Sequence, residues 1–280
     1  MSIQLLSEHG CFGGVQQFYK HHSRETRGSM KFSVYLPPQS RSARVPVLYF
    51  LSGLTCTEET FAIKGHAQQL AAELGLMLVS PDTSPREPRL PGDADSWDFG
   101  QGAGFYVDAT QAPWSAHYRM YSYVTRELPE LVAAHLPARA EGQGIFGHSM
   151  GGHGALTCAL RNPSQYRSVS AFAPIAAPMQ APWGQKAFKN YLGADAAAWR
   201  EYDATELVSR YRFPAPILID QGSADQYLAE QLLPDQFSAA AAKSGQVLEL
   251  RMRPQYDHGY YFIQTFMADH LRHHAAYLTK

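Results

Sequence analysis

The pentapeptide Gly147-His148-Ser149-Met150-Gly151 sets a single hydroxyl between two glycines. A short strand-like run, Gly144-Ile145-Phe146, comes before it, and a helix-like run from Gly152 to Leu160 comes after. A serine held in a sharp turn between strand and helix is pushed outward. Side chains in place of the glycines would collide with the adjoining strand and helix. The first backbone N–H groups of the helix point to the same spot, a place that favours negative charge. This is the chemistry of a nucleophile elbow. The plain alternative is a glycine-rich turn whose serine only caps the helix.

A serine hydroxyl is a weak nucleophile near neutral pH and needs a base, which needs an orienting acid. After an elbow of this kind the acid comes first along the chain and the histidine second, each in a loop at the end of a later strand. The first such loop reads Asp220-Gln221-Gly222-Ser223-Ala224-Asp225-Gln226. Asp220 ends its strand, whereas Asp225 lies at the tip of the turn and is better placed to reach a histidine. Asp225 is therefore the expected acid, with helix capping as its structural alternative. The second loop, Arg253-Pro254-Gln255-Tyr256-Asp257-His258-Gly259, offers His258. Of 12 histidines, only His258 combines the right order, a strand-end loop and a glycine neighbour. His148, His153, His273 and His274 read as packing or surface residues. Asp257 is adjacent to His258, and adjacent side chains seldom align as an orienting pair.

Charge developing on an attacked carbonyl needs backbone donors, each worth about 3–4 kcal/mol of barrier. The N–H of Met150, just after the nucleophile, is the expected first donor. The loop Ser52-Gly53-Leu54-Thr55-Cys56-Thr57 supplies the second, the N–H of Leu54, because Gly53 permits close approach. Cys56 is a rival thiol nucleophile in a much weaker context, and it reads as a small residue near the pocket. No cluster of His, Cys, Asp and Glu shows ligand spacing, so neither a metal nor another cofactor is expected.

The elements that must position these groups follow from the apolar pattern. Residues 3–9, 13–22 and 30–37 alternate apolar and polar and predict an antiparallel meander. Near-continuous apolar runs at 45–51 and 76–81 predict buried strands, and further strands are expected at 166–172, 215–220 and 247–252. Helices are expected over 59–74, 116–136, 228–243 and 260–278, with Leu128-Pro129 a local irregularity in the second. Residues 83–115 are irregular but ordered by the aromatics Trp97, Phe99, Phe105 and Tyr106. Strands alternating with helices imply a largely parallel sheet covered on both faces. A single domain spanning 1–280 is expected, with an excursion at about 175–213.

Composition excludes several classes. The chain has 280 residues, 45% of them apolar and 18% charged, which suits a sizeable core and argues against disorder. Its 24 Lys and Arg against 25 Asp and Glu give no footprint for nucleic acid or an anionic membrane. Neither a secretory signal nor an apolar run of membrane-spanning length is read. Cys11, Cys56 and Cys158 are three scattered thiols, so a disulfide framework is not expected and the cytoplasm is the expected compartment.

Several long motifs together carry a specific resemblance. They are Leu51 to Glu59, Ser96 to Gly100 with Gly102 to Thr110, Gly147 to Ala155, Pro182 to Phe188, Asp220-Gln221-Gly222 with Asp225-Gln226, and Tyr256 to Ile263. From about Cys11 to the C-terminus the chain resembles the S-formylglutathione hydrolases, the esterase D family. The resemblance implies an α/β-hydrolase fold and a serine thioesterase that cleaves S-formylglutathione to glutathione and formate, in formaldehyde detoxification, with side activity on short-acyl esters. Its triad falls on Ser149, Asp225 and His258. A formyl group is tiny, so Trp97 and Trp183 become candidate walls of a small acyl pocket, with core aromatics as the plain alternative. Lys186 becomes a candidate partner for a glutathione carboxylate, although a solvated lysine is the plainer reading. A homodimer is an expectation at the family level. The chain departs from the family's pattern at Gln101, at Ser223-Ala224 and over residues 84–95. The competing readings are a general short-acyl carboxylesterase and a non-catalytic binding protein of the same fold.

Overall fold

The alternating N-terminal segments become β1 (Gln4–Cys11), β2 (Gly14–Ser23) and β3 (Gly28–Leu36), paired antiparallel in succession. The apolar runs become β4 (Val47–Leu51), β5 (Met77–Pro81), β6 (Gln143–His148), β7 (Tyr166–Phe172), β8 (Ile217–Gly222) and β9 (Leu248–Arg253). In this computed structural model, which describes residues 2–279, they form one sheet in the order β1-β2-β3-β5-β4-β6-β7-β8-β9. β3 meets β5 antiparallel, and every pair from β5 to β9 is parallel. Every residue of β4, β5, β6 and β8 is buried, which requires cover on both faces. This is the α/β-hydrolase architecture with an antiparallel N-terminal extension.

The helices are α1 (Glu58–Lys64), α2 (Gln68–Leu74), α3 (Met120–Ser122), α4 (Leu128–His135), α5 (Met150–Arg161), α6 (Pro182–Leu192), α7 (Ala196–Arg200), α8 (Ala204–Arg210), α9 (Pro234–Ser244) and α10 (Tyr260–Leu278). Three of the five expected helices are interrupted, each for a local reason. The helix expected at 59–74 breaks between α1 and α2, where His66 takes φ +52°. There the Phe61 ring stacks 3.8 Å from Phe50 and fills the space beside Gly65, where a Cβ would lie 2.6 Å from the ring. The helix expected at 116–136 starts at Met120 and widens into a π turn over Tyr123–Glu127. Pro129 has no N–H for the Thr125 carbonyl, and Gln165 Nε2 donates to that carbonyl at 3.0 Å instead. The helix expected at 228–243 splits at Leu233, which sits at φ +51°. A residue before proline is driven out of the helical region.

Residues 83–115 carry only one short 3-10 turn, Trp114–Ala116. They are anchored by rings: Phe99 stacks on Tyr191 at 4.7 Å and meets Trp114 edge-on at 4.9 Å. The Tyr191 hydroxyl donates to the Ala103 carbonyl and accepts the Gly100 N–H, both at 3.0 Å. Trp97 stands outside this knot, 54% exposed. The segment 175–213 holds α6, α7 and α8 between β7 and β8.

Buried imidazoles stitch α10 and α5 into place. His274 bridges the Ser168 and Ser170 hydroxyls at 2.7 and 2.8 Å, and His270 Nδ1 bonds Ser170 at 2.8 Å. His153 on α5 bonds the Phe105 carbonyl at 2.9 Å. Burial pushes the His153 imidazole down to about 4 and lowers those of His270 and His274 as well. The unfolded chain therefore takes up protons below about pH 6.5 that the native state refuses, so stability is full above 6.5 and declines as pH falls towards 4. The expected slope is about 1.4 kcal/mol per pH unit for each such histidine, measured as urea unfolding free energies at pH 7 and pH 5.

Candidate active site

The parallel strands end along one edge of the sheet. Leu51 pairs with Gly147, Phe172 with Asp220 and Gly222 with Arg253, so the loops after β4, β6, β8 and β9 emerge side by side. Ser149 joins β6 to α5 at φ +58° and ψ −121°, a region costly for a residue with a side chain. Its N–H donates to the Phe172 carbonyl at 2.9 Å, and its carbonyl accepts from His153 and Ile175 at 3.0 and 3.2 Å. The glycines at 147 and 151 are sterically required. A Cβ on Gly147 would lie 2.2 Å from the Gly151 carbonyl oxygen, and one on Gly151 would lie 1.9 Å from that of Leu51.

The β4 loop leans directly onto this turn. A Cβ on Gly53 would sit 3.2 Å from the Ser149 Cβ. Tyr106 hydroxyl donates to the Ser52 carbonyl at 2.8 Å and holds the loop from behind. Among the described residues, neither the Leu54 nor the Met150 N–H is taken by a protein acceptor.

The loops after β8 and β9 are laced together. Ser223 N–H bonds the Arg253 carbonyl and Ala224 N–H the Tyr256 carbonyl, both at 3.0 Å. A Cβ on Gly222 would lie 2.3 Å from the Tyr256 oxygen. This lacing brings His258 Nδ1 to 2.6 Å from Asp225 Oδ2. Asp225 also accepts the Tyr227 N–H at 2.9 Å and Gln221 Nε2 at 3.3 Å, so it caps the following turn as well as facing the imidazole. Asp220 points elsewhere. It is fully buried, in a two-pronged pair with Arg253 at 3.1 and 3.0 Å, and its Oδ2 lies 3.4 Å from His270. Asp257 bonds the Gly259 N–H at the start of α10 at 2.9 Å.

Ser149 and His258 line one cavity of about 200 Å³, with Gly53, Leu54, Thr55, Cys56, Trp97, His148, Trp183, Tyr227 and Tyr260. Trp97 meets Trp183 edge-on at 5.4 Å. The Cys56 thiol is raised by burial, against opposing hydrogen bonds from Thr60 and Tyr260, so it stays protonated near neutral pH. Lys186 is not in the lining and is not a free solvated lysine. Its Nζ bonds Asp98 at 2.5 Å and Ser96 at 2.8 Å, beside Trp97. Gln101 also lies outside the cavity, bonded through Nε2 to Asp93 at 3.3 Å. Four lining residues, Thr55, His148, Tyr227 and Tyr260, were not anticipated as cavity walls. The His148 ring sits 4.5 Å from that of His258. Burial first, and the neighbouring His258 second, push its imidazole well down. Only its place inside the pentapeptide could have signalled that position.

An α/β-hydrolase sheet with a strained serine turn at its carboxyl edge is the framework of a serine esterase. The family described as "Putative esterase" matches residues 23–273. An S-formylglutathione hydrolase of Rattus norvegicus is 56% identical over 280 residues, 99% of each chain. One from Paracoccus denitrificans (strain Pd 1222) is 52% identical over 275 residues, 98% of each. The solved S-formylglutathione hydrolase from Agrobacterium tumefaciens matches with a TM-score of 0.96 at 52% identity, covering 98% of this chain and 99% of that one. The chain belongs to the S-formylglutathione hydrolase family.

The steric argument at the elbow is directly testable. Gly151→Ala drives a methyl group into the Leu51 carbonyl, and backbone cannot yield as a flexible side chain would. The expected loss is about 3 kcal/mol or more of unfolding free energy, read by urea denaturation.

Proposed function

We propose that this chain hydrolyses S-formylglutathione to glutathione and formate through a formyl-enzyme intermediate on Ser149. The observation that carries the reading is the 2.6 Å Asp225–His258 pair, with His258 and Ser149 lining the same cavity. The names of the full-length relatives support the substrate.

In this reading His258 takes the Ser149 proton as Oγ attacks the formyl carbon. Asp225 fixes the imidazole so that Nδ1–H faces the carboxylate and Nε2 is free to accept, and it stabilises the imidazolium that forms. The Leu54 and Met150 N–H groups bind the oxyanion. Collapse of the tetrahedral intermediate breaks the carbon–sulfur bond, and the glutathione sulfur leaves with the proton from His258. The imidazole then removes a proton from water as the water attacks the formyl ester. The bond from Ser149 Oγ to the formyl carbon breaks, His258 returns its proton to Oγ, and formate leaves. Trp97 and Trp183 act as walls that suit a small acyl group. The half-buried, protonated Cys56 takes no part as a nucleophile. Three unpaired thiols fit a reducing cytoplasmic setting, and no helix among the described residues is long and apolar enough to cross a membrane.

A fluorophosphonate should label Ser149 in the folded protein, and an unmodified Ser149 would sink the serine mechanism. Comparing kcat/KM for S-formylglutathione and p-nitrophenyl acetate tests the substrate. A ratio favouring the ester would replace the thioesterase with a general short-acyl carboxylesterase. For the acid, Asp225→Asn should lower kcat by about 10⁴ through loss of the correct tautomer. Asp220→Asn should fall far short of that, and the reverse ranking would overturn the assignment.

A further inference from the structure

The turn that carries the Leu54 N–H is itself under strain. Residues 53–56 close on a bond from the Cys56 N–H to the Gly53 carbonyl at 3.3 Å. Thr55 occupies the third position at φ +68°, where such turns ordinarily place glycine. A β-branched residue there costs about 1–3 kcal/mol and persists only where its surroundings over-determine it. Relaxation of Thr55 to negative φ would rotate the Leu54–Thr55 peptide and carry Leu54 with it.

Two anchors oppose that relaxation. The Thr55 N–H donates to the Gly102 carbonyl at 2.9 Å. At the other end of the turn, the Cys56 carbonyl accepts from Thr83 Oγ1 at 2.6 Å and from Arg86 Nη2 at 3.0 Å. Arg86 reaches that carbonyl with its guanidinium already fixed. Nε lies 3.2 and 3.1 Å from the two Asp82 oxygens, and Nη2 lies 2.8 Å from Oδ1. Thr83 is fully buried, and Asp82 is nearly so. Neither Thr83 nor Arg86 lines the cavity, so neither touches substrate there.

We propose that Arg86, held by Asp82 and assisted by Thr83, clamps the Cys56 carbonyl and so positions the Leu54 N–H as an oxyanion donor. The inference rests on the Ser149 mechanism and on Leu54 as one of its donors. Arg86 and Thr83 are positioning residues, acting through the strained turn. Because the oxyanion is common to thioester and ester, their effect belongs to both substrates equally. It also belongs to kcat rather than to KM, since the donor matters most once charge has developed.

Steady-state kinetics of Arg86→Ala and Thr83→Val test this on S-formylglutathione and p-nitrophenyl acetate. Removing one oxyanion donor outright costs about 10²–10³, so a displaced one should cost about tenfold in kcat on both substrates, with KM within about twofold. Millimolar guanidinium should restore part of the Arg86→Ala loss, whereas it should leave Thr83→Val unchanged. Thr83→Val keeps the side-chain shape and remains informative if Arg86→Ala folds poorly. The clamp is overturned if both variants keep kcat within about twofold, or if the loss appears in KM alone and guanidinium does not restore it. Ser149→Ala, measured alongside, separates the two levels. Activity surviving there overturns the serine mechanism itself, while unchanged kcat in both Arg86→Ala and Thr83→Val beside an inactive Ser149→Ala overturns the clamp alone.

Discussion

Everything at the carboxyl edge of the sheet depends on the backbone of Ser149 being held where it would not rest by itself. Its positive φ is tolerated because three backbone hydrogen bonds tie it to Phe172, His153 and Ile175. Glycines at 147 and 151 let the helix and the neighbouring strand approach to distances that no Cβ could survive. Strain of this kind, of order 1–3 kcal/mol, is affordable only inside a rigid, fully packed surround. The buried strands β4 and β6 provide it on one side and α5 on the other.

The same logic repeats around the cavity. Thr55, Phe105 and Tyr106 all stand at positive φ, and each lies in a loop tied down by long-range hydrogen bonds. Tyr106 reaches the Ser52 carbonyl, while the Phe105 carbonyl receives His153. The long segment 83–115 is thus less a loose loop than a second wall. Its shape is set by rings packed against Tyr191 and by bonds to the elbow helix. Cavity-lining groups such as Trp97 are carried on that wall, with the Lys186–Asp98 pair bracing it.

The two carboxylates after β8 show how one short loop divides its duties. Asp220 closes a buried network with Arg253 and His270 that ties β8 to β9 and α10. Asp225, five residues on, is carried by the laced loops to the imidazole of His258. A paired carboxylate inside the sheet fixes where the strands end, and the strand ends fix where the tip of each loop arrives. The distance between Asp225 and His258 is therefore a consequence of sheet register as much as of the loops.

Much of this was legible in the amino-acid sequence, because the signals are local or periodic. Apolar patterning located eight of the nine strands, and the short run ahead of the elbow located β6. The glycine-flanked serine marked the elbow, and chain order marked the loops that hold Asp225 and His258. Helix continuity was less legible at 59–74, 116–136 and 228–243. There a stacked ring, a missing proline N–H and a residue ahead of proline outweighed apolar periodicity. Lys186 could not be placed from sequence, since its partner Asp98 lies far away along the chain. The same holds for His148, Tyr227 and Tyr260 as cavity walls and for Arg86 behind the Cys56 carbonyl. Residue type and spacing along the chain determined which groups could do chemistry. Only the tertiary structure decided which of them meet, because contacts across the sheet edge depend on register, close backbone approach and burial, none of which is encoded in a single local segment.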